Sequence, residues 1–303
     1  MSADPAAVPA RAPRSAVAAA LAVVYLVWGS TYLAIRFALE GGWPPLLMAG
    51  FRFLLAGGLM YAFLRLRGVP PPTRAQWRNL GAMAFLLLGL GNGMVCIAQQ
   101  SVSSGLAAVA VASAPLWMGL FAAMRGERPV GAEWLGLAIG FAGVLWLNAG
   151  SSLTATPAGL VALLVAPAAW AWGSIWSRGR DLPSPFMSAA AQMLCAGAML
   201  PLAGLALGER MQALPSWSGL LAVGYLVTFG SIVGFTAYVW LLHHVRPALA
   251  GSYAYVNPVI AVALGAWLAG ERFNAQDTGA MLVVLMGVVA ITLARSRRGR
   301  QRP

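Results

Sequence analysis

The side chains of this chain that could contact a solute lie inside apolar stretches. Trp28, Ser30, Thr31 and Tyr32 form the first group. Trp28 and Tyr32 are four apart and share a helical face. A matching order returns at Trp172, Ser174 and Trp176. Aromatic faces stack on planar or apolar solutes while indole and phenol groups hydrogen-bond them. Tryptophan also anchors helices at lipid interfaces, but Trp172 lies deep in its stretch, which favours a cavity. Gly29 and Gly173 let helices approach closely. Arg52 stands about seven residues into its stretch, roughly 10 Å along a helix. A charge at that depth is costly and faces protein interior or water. It contacts the carboxylate of a solute, or it serves a structural ion pair, or it snorkels to an interface. The matching region of the second half offers Gln192 instead.

Amides and prolines add a third group. Asn92, Cys96 and Gln99 make one helical stripe, and buried amides need partners from neighbouring helices or from a solute. Ser231, Phe235 and Tyr238 make a similar stripe. The run Ser252-Tyr253-Ala254-Tyr255-Val256-Asn257-Pro258 is the densest polar and aromatic cluster, with Tyr253 and Asn257 as solute contacts. Pro258 frees the carbonyl of Ala254, and Pro115 frees that of Val111. Freed backbone at membrane depth is tolerated against protein or a water-filled cavity. The matched prolines therefore point to a hinge. Glu127 and Glu271 each precede an arginine in Gly-Glu-Arg. The two readings are a helix-end turn with a local ion pair, and a gate.

Some chemistry is missing. Glu40, Glu127, Glu133, Asp181, Glu209, Glu271 and Asp277 fall at loops or stretch ends, and Asp4 is in the tail. Proton pumps commonly use intramembrane carboxylates or histidines, so such coupling is disfavoured. Without any lysine, the chain lacks a Walker sequence. Cys96 and Cys195 have no metal-ligand spacing. No cofactor or metal is expected. A lipid-modifying membrane enzyme needs clustered His, Asp or Glu at one interface, and that cluster is absent; a passive solute channel is the other alternative.

The elements that must position these groups are membrane helices. Of 303 residues, 60% are hydrophobic and 9% charged, with mean hydropathy +0.75. A soluble domain carries about 25% charged residues. A span needs roughly 20 apolar residues. Hydropathy, proline and glycine give spans at 16–38, 45–65, 77–99, 105–124, 131–148, 158–177, 186–207, 218–242, 248–269 and 276–294. The first run is too long for a signal peptide and reads as an uncleaved span. The net charge of +12 does not indicate a nucleic-acid partner, because the arginines lie between apolar stretches rather than along one face. With a cytoplasmic N-terminus, sixteen fall on the cytoplasmic side (Arg11, Arg14, Arg65, Arg67, Arg74, Arg78, Arg125, Arg128, Arg178, Arg180, Arg246, Arg295, Arg297, Arg298, Arg300 and Arg302). Three fall opposite: Arg36, Arg210 and Arg272. Both termini are therefore expected in the cytoplasm.

An internal repeat organises the spans. Trp28-Gly29-Ser30 returns as Trp172-Gly173-Ser174, and Gly126-Glu127-Arg128 as Gly270-Glu271-Arg272. Pro115 matches Pro258, and Gly143 matches Gly287. Five spans per repeat is an odd number, so the second copy inserts upside down. The expected fold is all-α and polytopic, with ten transmembrane helices as two inverted five-helix repeats. The organisation is a tail at 1–15, repeats at 16–148 and 158–294, and a basic tail at 295–303. Inverted repeats of this kind place a solute site near mid-membrane between the halves.

The chain resembles the drug/metabolite transporter superfamily, EamA type, and is especially similar to its YedA-type inner-membrane exporters. The resemblance covers residues 16–294. It rests on Val27-Trp28-Gly29-Ser30-Thr31-Tyr32, on Trp43-Pro44-Pro45 with Met48-Ala49-Gly50-Phe51-Arg52-Phe53, and on Gly91-Asn92-Gly93-Met94-Val95. Gly140-Phe141-Ala142-Gly143, Leu221-Ala222-Val223-Gly224-Tyr225-Leu226 and the Ser252–Pro258 run complete it. It implies a bacterial inner-membrane secondary carrier that exports small organic metabolites, amino acids, related compounds or drugs, through a cavity lined by both halves.

Overall fold

A computed structural model describes residues 13–124, 126, 131–150, 156–245, 249 and 252–301. Among these residues the chain is helix and turn, with no strand. The helices are α1 (Arg14–Glu40), α2 (Pro45–Leu66), α3 (Arg74–Ala98), α4 (Ser104–Ala112 and Ala114–Met124), α5 (Gly131–Gly150) and α6 (Pro157–Trp176). They continue with α7 (Pro185–Ala206), α8 (Trp217–Tyr225, Leu226–Val233 and Gly234–His244), α9 (Tyr253–Leu268) and α10 (Ala275–Gln301). Among the described residues, seven helices are long and apolar enough to cross a membrane: α1, α2, α3, α4, α6, α7 and α8. The apolar parts of α9 and α10 are shorter, Val256–Leu268 and Ala275–Ala290. Leu66, Trp217 and Trp267 stand largely exposed on the outer flank, as side chains do when lipid is the solvent.

The ends of the helices follow from local chemistry. Proline opens α2, α6 and α7 at the first turn, where its missing N–H costs nothing. Thr73 closes a capping box on α3 with Gln76. Past the ends of α1, α2 and α7, Gly42, Gly68 and Gly208 take φ values of 94°, 79° and 85°, a left-handed turn open to glycine.

Two pairs of helices make the most extensive contacts, α2 with α7 and α5 with α10. Both pairs run antiparallel. Gly50 faces Pro201, Gly57 faces Leu194, and Gly197 faces Leu54, so the register descends on one helix as it climbs on the other. Gly143 against Val284 and Gly140 against Gly287 give the same sense for α5 and α10. These pairs join segments related by the sequence repeat. Two stretches are π-helical, Ala84–Gly93 within α3 and Leu226–Val233 within α8. They occupy corresponding places in the two halves, and π-helical turns are frequent at functional sites. One apolar core lies around α2, α3, α7 and α8, and another around α4, α5 and α10. Tyr32, Met94 and Ile97 touch both.

Candidate functional site

The candidate site lies where α1, α2, α8 and α9 meet. Its centre is Trp28, which is buried. Its ring centroid lies 5.4 Å from that of Phe235, 5.1 Å from Tyr238 and 5.0 Å from Tyr253. Tyr238 and Tyr253 meet edge to face at 5.5 Å. The arrangement is a box of aromatic edges and faces. The Trp28 indole N–H donates to the Gly230 carbonyl at 3.2 Å, within the π-helical stretch of α8. Toward the Arg14 end of α1, the Tyr25 hydroxyl and Ser252 Oγ lie 2.6 Å apart. In the opposite direction, Tyr32 packs against the apolar core around α4, α5 and α10.

Arg52 enters this sector from α2. It is 3% exposed. Its Nε donates to Ser231 Oγ at 2.9 Å, and its guanidinium carbon lies 4.9 Å from the centre of the Phe53 ring. Among the described residues the ion pairs belong to Arg36, so Arg52 is neither snorkelling nor paired with a carboxylate. Gly230 makes room for it: a Cβ there would lie 3.2 Å from Nη2. An arginine held in this way presents unused N–H donors to an anion. Asn257 is buried on α9, and its Oδ1 has no hydrogen-bond partner.

Other expected site residues lie elsewhere or are already satisfied. The Thr31 hydroxyl donates to the Trp28 carbonyl at 2.7 Å, and the Ser174 hydroxyl to that of Trp170 at 2.7 Å. Asn92 accepts a long contact from Cys96 Sγ within its own helix, at 3.8 Å. Trp172 is 39% exposed and stands edge-on to Phe121 at 5.4 Å. Trp176 lies under the Arg180 guanidinium at 4.4 Å. Neither tryptophan reaches the Trp28 box. The two prolines also differ. The helical run breaks at Ser113 beside Pro115, whereas Pro258 sits inside the unbroken helix α9.

Glu271 does not pair with its neighbour Arg272. Its Oε1 accepts from Arg36 at 2.7 Å and from both the backbone N–H and hydroxyl of Ser104 at 2.7 Å. Oε2 accepts from Gly105 N–H at 3.2 Å. It therefore caps the start of α4 and ties it to the end of α1. Glu127 lies outside the described residues. Glu209 repeats the device, accepting from Leu46 N–H at 3.0 Å and Leu47 N–H at 2.9 Å at the start of α2. A third Gly-Glu-Arg triplet, Gly208-Glu209-Arg210, was the available signal for it. Phe235 and Tyr238 belong to the helical stripe with Ser231 that the sequence already singles out. Above these caps a cavity of about 930 Å³ opens at the Trp43 end, lined by Arg36, Glu40, Trp43, Gln99, Glu209 and Arg210 among others.

The pattern of the EamA-like transporter family matches residues 15–149 and again residues 157–293. The chain is 47% identical over 277 residues to the uncharacterized inner membrane transporter YedA of Escherichia coli strain K12, covering 91% of this chain and 90% of that one. It is 26% identical over 282 residues to a probable amino-acid metabolite efflux pump of Salmonella typhimurium, covering 88% and 91%. A protein of known crystal structure shares the fold, with a TM-score of 0.64 at 23% identity, covering 93% of this chain and 99% of that one. With its apolar helices and a family pattern that runs through both halves, the chain belongs to the EamA-like transporter family and is a polytopic membrane transporter, not an enzyme.

Proposed function

We propose that this chain is a secondary carrier that exports small organic metabolites, amino acids or related compounds, across a bacterial inner membrane by alternating access. In this reading ten helices span the membrane as two inverted repeats, and both termini are cytoplasmic. The observation that carries it is the antiparallel packing of repeat-related helices, α2 on α7 and α5 on α10. Two copies in opposite senses can rock against each other and expose one site to either side. The excess of arginine at the Arg14 end supports a cytoplasmic assignment for that end. The cavity at the Trp43 end is then the outward mouth, and Tyr25–Ser252 with the Trp28 box forms the closed inner side.

In the solute site Trp28, Tyr32 and Tyr253 stack on the apolar part of the solute, Arg52 takes its carboxylate, and Asn257 accepts an N–H. Thr31, Asn92 and Ser174 have a smaller share, since each already has a partner within its own helix. Trp172 and Trp176 become contacts only if α6 turns toward the axis in the other state. Pro115 and Pro258 supply the hinge, and Glu271, with Glu127 in the corresponding triplet, the gate. The solute and the bilayer are the partners required.

Reconstituted alone in liposomes, the protein should give saturable flux with counterflow for a subset of an amino-acid and organic-cation panel. Unsaturable flux without counterflow would make it a channel. No flux for any member of the panel would reject the reading.

A further inference from the structure

We infer that the cavity at the Trp43 end holds a binding station of its own for a net-neutral, zwitterionic solute, anchored by Gln99. Gln99 closes α3 and is 6% exposed, yet neither its Oε1 nor its Nε2 has a hydrogen-bond partner. The buried indole N–H of Trp43 is also without one. Both residues line the same cavity. Buried polar groups in native proteins are paired, and each orphan calls for a partner. Here three orphaned polar atoms, two donors and one acceptor, sit on two residues that line one cavity, each atom itself shielded from solvent.

The walls are held independently of any solute. Glu209 is taken up by the backbone of Leu46 and Leu47, and Arg36 by Glu40 and Glu271. The charged walls are therefore set before a solute arrives, and the Gln99 amide and Trp43 indole turn toward the cavity to meet it. The charges select the ligand class. Two arginines, Arg36 and Arg210, face two glutamates, Glu40 and Glu209, so the lining is balanced. Arg210 is exposed and makes no ion pair among the described residues. A carboxylate would supply the acceptor that the Gln99 amide N–H and the Trp43 N–H lack, with Arg210 on the same lining. An ammonium satisfies Gln99 Oε1 and the outer oxygen of Glu40. An anion alone leaves the amide oxygen orphaned, and a cation alone leaves both donors so.

The station rests on the carrier reading for its role, as the place where an exported solute pauses before release. Its existence is tested without transport. Purified full-length protein in lipid nanodiscs is titrated with L-glutamine, L-threonine and L-phenylalanine, with glutarate as dianion and putrescine as dication. At least one zwitterion should bind saturably, and the two charged probes about tenfold more weakly or worse. Gln99→Leu should weaken zwitterion binding about tenfold. It should also raise the melting temperature without ligand, because an orphaned amide gives way to a hydrocarbon of similar size. Trp43→Phe should weaken binding less. A fall in the Gln99→Leu melting temperature would mark the amide as structural and overturn the station; Gln99→Met, closer in length, gives the same readout if Leu does not fold. Unchanged affinity in Gln99→Leu, or flux in liposomes with no zwitterion binding in nanodiscs, also overturns the station and leaves the carrier reading standing. Gln99-dependent binding without flux supports the station and removes the carrier reading.

Discussion

At the residue scale, the proposed role of Arg52 is to set what kind of solute the centre accepts. A guanidinium held by one serine hydroxyl and one ring face is a poor structural element, since a buried charge without a carboxylate is costly. Its retention makes sense if the solute completes it. Arg52→Gln should lower flux of zwitterionic and anionic solutes by about tenfold or more, the loss of one charge-assisted contact, and leave planar cations near normal. Equal losses for cations in the same liposomes would remove the anion role. Arg52→Met should meanwhile raise stability in detergent by about 1–2 kcal/mol. The residue types were legible in the sequence, and so was the cost of Arg52 at that depth. The satisfaction of Thr31 and Ser174 by their own helices was not, because a hydroxyl's choice between backbone and cavity depends on rotamer and neighbours.

At the element scale, the Gly-Glu-Arg triplet is a joint between helices. Gly208 and Gly270 turn the chain with φ of 85° and 61°, and the glutamate that follows caps a different helix. A carboxylate at a helix N-terminus meets both orphan N–H groups and the positive end of the dipole. Glu271→Gln should therefore cost about 2 kcal/mol, since a largely buried ion pair and the α4 cap weaken together. Glu40→Gln, at the exposed end of the same network, should cost less than about 0.5 kcal/mol. Thermal melts in one detergent compare the two. The sequence offers two readings for Glu271, a local ion pair with Arg272 and a gate; adjacency suggests the first, but the partners, Arg36 and Ser104, are distant in sequence. Close packing is the other element-scale feature. A Cβ on Gly197 would lie 2.5 Å from the Leu54 backbone nitrogen. Gly197→Val should separate α2 from α7 and cost about 1–3 kcal/mol, seen as a lower melting temperature and poorer membrane yield.

At the scale of the whole molecule, the two ends differ among the described residues. The Trp43 end carries a cavity, while toward the Arg14 end Tyr25, Trp28, Tyr238, Ser252 and Tyr253 pack together, the closed inner side of the proposed cycle. Alternating access requires that this closure open. With Cys96 and Cys195 replaced by alanine, the double variant Tyr25→Cys, Ser252→Cys joined by a short cleavable cross-linker should lose flux while still binding solute from the Trp43 side. Cleaving the linker should restore flux. Full flux in the cross-linked state would show that this contact need not open.

By itself the sequence determined that the chain is helical and lies in a membrane, because a bilayer leaves the backbone few ways to satisfy its own hydrogen bonds. The repeat and its offset were also written there, in matched tryptophans, glycines and prolines. Only the tertiary structure decided which of the matched residues share a site. Trp28 and Trp172 stand in the same local sequence, yet one is boxed by three aromatic rings and the other is 39% exposed beside Phe121. The physical reason is that lipid and protein interior are both apolar. Hydropathy therefore places a side chain at membrane depth without saying which way it faces, and the facing is set by the helices that pack against it.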